Sequence, residues 1–232
     1  MTLFGSGPSA EFPLGTDALG RDLLSRILVG ARLSMRVAVL AVALATVAGG
    51  ALGLVSGYLG GLVDLVIGRI VDVFFAFPAI LLALGIVAAL GPDPNNVILA
   101  IGVVYTPIFA RVVRGPVLAL RAREFVEAAR ALGATRARIL LRHILPNLVS
   151  TLVVQVSLAL SWAVLTEGAL SFLGLSAQPP APSWGVMLSE GRQYLEFATH
   201  LALFPGIAIM IAVLGFNLLG DGLRDALDPR RR

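Results

Sequence analysis

No cysteine occurs among the 232 residues, which excludes a disulfide framework and any thiolate metal site. Lysine is absent as well, so all 18 basic residues are arginines, whose charge persists in any environment. Histidine is limited to His143 and His200, far apart in sequence. Charged residues make up only 14% of the chain, against roughly a quarter in an ordinary globular domain. Catalytic signatures are missing too: there is no G-x-x-x-x-G-K-[ST] phosphate loop, no H-E-x-x-H zinc helix and no G-x-S-x-G elbow. The chain is therefore read as non-enzymatic, with no metal and no cofactor of its own, and with no means of hydrolysing ATP by itself. The first 20 residues lack the basic start and apolar core of a cleavable signal peptide.

What remains is apolar. Hydrophobic residues form 57% of the chain and the mean hydropathy is +0.90, so the solvent to consider is the bilayer. A spanning helix needs about 20 largely apolar residues. Runs free of Asp, Glu and Arg give five candidates, at 37–57, 73–90, 94–110, 143–166 and 197–220. The expected fold is all-α and polytopic. Asp72 and Arg111 flank the two short runs and can snorkel to the interface.

Charge in the connections sets the expected orientation. Residues 111–142 hold eight arginines against Glu124 and Glu127, which makes this segment cytoplasmic by the positive-inside rule. By alternation the C-terminal tail also lies inside, while 91–96 and 171–196 lie outside. The first 36 residues are then the misfit, because Arg21, Arg26, Arg32 and Arg36 fall on the outer side. An upstream sixth span would resolve this. Residues 21–36 put Leu23, Leu24, Ile27, Leu28 and Ala31 on one side of a helical wheel and Arg21, Arg32 and Arg36 on another, as in a helix lying in the interface. The expected organisation is an interfacial N-terminal segment at 1–36, a transmembrane domain at 37–220 with a cytoplasmic loop at 111–146, and a cytoplasmic tail at 221–232.

Within the spans, Gly49, Gly53, Gly57 and Gly61 recur every four residues and would let another helix approach closely. Pro78, Pro107 and Pro205 each remove a backbone donor and are expected to kink their helices. Arg69 and Asp72 can pair across three positions of one helix. Glu167, near the outer end of the fourth span, reads either as a gate residue on a translocation path or as a carboxylate at headgroup level.

The passage EAARALGATRARILLRHILPN, residues 127–147, reads differently. From Glu124 to Leu132 it is rich in strong helix formers, Gly133 supplies a left-handed turn, and a second helix runs from Thr135 to Pro146. A short helix with Glu127, Ala128 and Ala129 suits docking into a groove on a partner protein. DNA binding is opposed by geometry, because both ends of the segment run straight into spans, and binding of anionic lipid explains the arginines but not the Glu-Ala-Ala and glycine pattern.

These residues resemble the EAA loop of ABC-importer permeases, Glu-Ala-Ala, three residues, Gly, nine residues, then Ile-x-Leu-Pro. Glu127, Ala128, Ala129, Gly133, Leu145 and Pro146 match, while the Ile position falls on His143 with Ile144 beside it. The stretches at 13–34, 170–188 and 216–229 resemble the C-type subunits of the dipeptide and oligopeptide branch. The resemblance implies a type I importer permease fold, usually of six spans. It also implies a plasma-membrane location in a bacterium or archaeon, pairing with a homologous B-type permease, two cytosolic ATPases that bind the ATP, and an extracytoplasmic solute-binding protein. Glu124 to Gly133 would be the coupling helix, with Glu127 an electrostatic contact to the ATPase. Relatives of this kind carry dipeptides, oligopeptides, nickel complexes, glutathione, opines or oligosaccharides. A secondary transporter would need ion ligands at mid-membrane, and no charged residue stands at the centre of any span. A membrane-anchored regulator is the other alternative, and the span positions oppose it.

Overall fold

The computed structural model describes residues 6–227. Among them all regular structure is helical apart from one isolated bridge between Thr16 and Asp22. The helices are α1 (Leu23–Leu59), α2 (Gly61–Phe75), α3 (Ala79–Leu90), α4 (Pro94–Leu120), α5 (Glu124–Ala131), the single turn α6 (Arg136–Arg138), α7 (Val149–Phe172), α8 (Trp184–Arg192) and α9 (His200–Leu227). By length and apolarity, α1, α4, α9 and the continuous run Arg136–Phe172 can each cross a membrane, and α2 with α3 makes a fifth span if the bent pair counts as one.

Three expectations are corrected. The interfacial helix at 21–36 and the span at 37–57 are one helix, α1. Its 37 residues reach about 55 Å at 1.5 Å per residue, well beyond the roughly 30 Å hydrocarbon core. The span at 73–90 is broken, because α2 and α3 meet at 89°. Pro78 explains the break: it carries no N–H, and its ring disfavours helical geometry at Phe77 before it. The second helix of the 127–147 passage does not stop at Pro146. A π-helical turn (Ile139–Ile144) and a 3₁₀ turn (Leu145–Leu148) carry it into α7, so the local change of hydrogen-bond register absorbs the proline. Pro107 and Pro116 sit inside α4, and Pro205 sits inside α9.

Contacts divide the chain into two compact units. One contains, among the described residues, 42–82, 102–159 and 217–227. In it α1 and α4 are laid together along small residues. A Cβ added at Gly53 would lie 2.5 Å from the Ala110 carbonyl oxygen and 2.8 Å from Val113 Cβ; one at Gly57 would lie 2.9 Å from Arg114 O and from Val117 Cβ. Gly49 meets Thr106 and Phe109 in the same way. The steps are four residues on both helices and ascend together, so the 49–57 stretch of α1 and the 106–117 stretch of α4 run in the same direction. Gly61 departs from the predicted stripe. It opens α2 at φ +55°, with open space where a Cβ would be, because the chain has already turned at Gly60.

The other unit contains, among the described residues, 6–41, 83–101 and 160–216. Here α8 is fastened to α1: the Trp184 indole N–H donates to the Ile27 carbonyl at 3.0 Å, and the Ser183 hydroxyl caps α8 by accepting from the Val186 N–H at 3.2 Å. Gly185 lies so close to Gly168 and Ser171 of α7 that a Cβ would collide with both.

Candidate functional site

Helix α5 has two unlike sides. Val126 and Ala129 are buried in a cluster with Tyr58, Val113, Val117, Ile139, Ile144 and Leu148, while Glu124, Phe125, Glu127, Ala128 and Leu132 stay exposed. Leu132 is 88% exposed, an unusual position for a leucine beside a packed core. The acidic Glu124 and Glu127 occupy the first turn, where the helix dipole favours them. Gly133 ends the helix at φ +78°. The Ala134 N–H reaches back to Ala129 O and the Gly133 N–H to Arg130 O, both at 3.0 Å, the paired bonds of a Schellman turn. Thr135 then caps α6 by accepting from the Arg138 N–H at 3.3 Å. Leu145 is half-buried and Pro146 exposed, in the 3₁₀ turn before α7.

Three arginines of the basic segment are engaged within the protein. Arg114 grips Asp64 of α2 through two hydrogen bonds, at 2.5 and 2.6 Å. Arg111 bonds Asp72 at 2.8 Å and lies 4.1 Å from the centre of the Phe75 ring. Asp72 is thus paired with Arg111 and not, as its spacing suggested, with Arg69. Arg121 donates to the Gly57 and Tyr58 carbonyls at 3.1 and 3.3 Å and so satisfies the end of α1. No local pattern points to these partners, which lie tens of residues away. Arg123, Arg130, Arg136, Arg138 and Arg142 remain exposed.

In the other unit Arg26, nearly buried, bonds Asp17 and Glu190 at 2.9 Å each, and Asp17 also takes the Arg21 guanidinium at 2.6 Å. Burial alone would raise the Asp17 carboxyl. The Arg21 N–H and guanidinium, the Leu19 N–H and the Arg21 charge outweigh it and hold that carboxyl below its usual range. Glu167 is fully buried in α7, facing the hydroxyls of Ser34, Ser171 and Ser176. Among the described residues no group of three or more metal-ligating His, Cys, Asp or Glu side chains occurs.

Residues 49–232 match the family model described as the binding-protein-dependent transport system inner membrane component. The chain belongs to this family. It is 52% identical over 226 residues to the dipeptide transport system permease protein DppC of Alkalihalophilus pseudofirmus, a match spanning 97% of this chain and 74% of the relative. To the glutathione transport system permease protein GsiD of Escherichia coli O1:K1 it is 51% identical over 225 residues, with the same coverage. Among solved structures, inward-facing forms of the MetNI methionine ABC transporter superpose with TM-scores of 0.71 and 0.69, at 20% identity over 89% of this chain and 98% of theirs. The permease therefore has the type I ABC importer fold and works as a multi-pass transport subunit in the membrane.

Proposed function

We propose that this permease forms half of a translocation path for peptides or peptide-like solutes, glutathione included, in a bacterial or archaeal plasma membrane. A homologous B-type permease supplies the other half, two cytosolic ATPases bind and hydrolyse the ATP, and an extracytoplasmic binding protein delivers the solute. The substrate range follows from the similarity to dipeptide and glutathione permeases. The EAA segment and the C-terminus face the cytoplasm, because arginine is concentrated in the segment around α5 and in the tail.

The observation that carries this reading is the two-sided α5. Its exposed side offers Glu124, Phe125, Glu127, Ala128 and Leu132, a small mixed surface fit for a groove on an ATPase. Its buried side is packed into α4 and the run leading to α7, so a push on α5 is delivered to both. Closure of the ATPase pair on ATP would move α5 as a rigid lever, and each state of the permease must contact the ATPases differently for energy to pass.

Co-purification tests this. In detergent, the wild-type chain should retain the ATPases encoded beside it, whereas Glu127→Arg and Gly133→Pro should lose them while still reaching the membrane with the B-type permease. Equal retention by all three chains would refute the coupling role.

A further inference from the structure

The permease reading gives Glu167 no task, yet its side chain is 0% exposed. The polar groups that face it are the hydroxyls of Ser34 in α1, Ser171 one turn further along α7, and Ser176 in the connection that follows. The ion pairs at Asp17, Asp64, Asp72 and Glu190 lie elsewhere. Neither carboxylate oxygen of Glu167, nor the Ser176 hydroxyl, completes a hydrogen bond of ordinary geometry among the described residues. These are complementary groups in one enclosure, and a serine hydroxyl can rotate to donate or accept.

A buried carboxylate ion without a cation is strongly disfavoured, whereas a carboxylic acid ringed by hydroxyls needs only hydrogen bonds. The ring also has reach. The Ser171 and Ser183 hydroxyls lie 2.5 Å apart, Ser183 caps α8, and the Trp184 N–H points at the Ser34 hydroxyl at 3.5 Å. One side chain therefore stands where α1, α7, the 173–183 connection and the start of α8 converge.

We propose that Glu167 is a positioning residue that acts as an uncharged hydrogen-bonding hub and holds the 173–183 connection and the start of α8 on α1 and α7. Only the transport readout of its test depends on the permease reading. A leucine would fill the same space without burying polar atoms, so the value of the carboxyl lies in fixing where the connection sits.

Because the chain lacks cysteine, Gln178→Cys in the exposed part of the connection gives it a single labelling site. A spin label there is read by EPR in the full complex with cysteine-free partner subunits, and uptake of a labelled dipeptide and of glutathione is measured in proteoliposomes. Glu167→Gln should keep label mobility unchanged and uptake within twofold. Glu167→Ala, and separately Ser34→Ala with Ser176→Ala, should raise mobility and lower uptake at least tenfold. Should Glu167→Ala fail to assemble, the double serine variant decides by itself. Unchanged mobility in the serine variant, or a glutamine variant as loose as the alanine one, overturns the proposal. If the peptide reading alone is wrong, no chain takes up either solute, the wild type included, and the mobility contrast still stands.

Discussion

Alanine substitutions at Gly50 and Gly53 in α1 should act in opposite directions. Both glycines lie inside the same helix, and both replacements gain the same helix-forming advantage of about 0.5–1 kcal/mol. At Gly50 a Cβ meets nothing within 4 Å, so the gain stands alone. At Gly53 the Cβ would lie 2.5 Å from a backbone oxygen and 2.8 Å from a β-branched Cβ in α4, neither of which is the tip of a flexible side chain. The helices must separate, and overpacking of this kind costs about 1–3 kcal/mol. That cost is also the expected gap between the two variants, since the propensity gain cancels. At about 2–4 °C per kcal/mol for a chain of this size, the gap is about 2–12 °C. Melting of the detergent-solubilised protein, followed by fluorescence-detected size exclusion, resolves such a gap. If Gly53→Ala melts at or above Gly50→Ala, the account of α1 and α4 as helices in backbone contact is wrong.

Three further outcomes are expected. The Asp17 carboxyl is held below its unfolded value of 3.8, so its contribution to stability is complete above that pH and is lost as pH falls through the lower folded value. Melting recorded down the acid range should show this loss, and Asp17→Asn should flatten it. A double-mutant cycle on Asp64 and Arg114 should give a coupling of only about 0.5–1 kcal/mol that shrinks with added salt, because the arginine side chain is 43% exposed; a larger, salt-insensitive coupling would show a drier site. Gly133→Ala should cost about 1 kcal/mol through its left-handed backbone alone, since nothing crowds the position, and Gly133→Asn should recover part of it in the same melting assay.

The spans were legible because bilayer length and apolarity are written locally, and the EAA pattern was legible because its spacing is local too. What escaped the sequence depends on distant partners. The first charge-free run begins at residue 37, since arginines precede it. In the fold Arg26 is neutralised by Asp17 and by Glu190, 164 residues away, so the helix continues through it. The spacing of Arg69 and Asp72 suggested a pair, but Arg111 reaches Asp72 from another helix with two contacts, to the carboxylate and to Phe75. The flanks of Glu167 carry no sign of Ser34, which faces it from far along the chain. Pro78 was visible, yet an 89° break and a mild kink look alike in one dimension.

The inward residues Ile139, Ile144, Leu148 and Leu152 step by five, four and four, and the step of five coincides with the π-helical turn. That turn accommodates one residue more than an α-helix of the same reach would hold. Deleting a single residue between Leu140 and His143 would reduce the step to four and leave all of the inward positions in phase, whereas a deletion further along α7 would rotate everything beyond it. The phase of the helical run therefore tolerates a one-residue deletion at this point, beside the segment expected to receive the force of the ATPases, provided that Pro146, which the turn accommodates, is replaced as well.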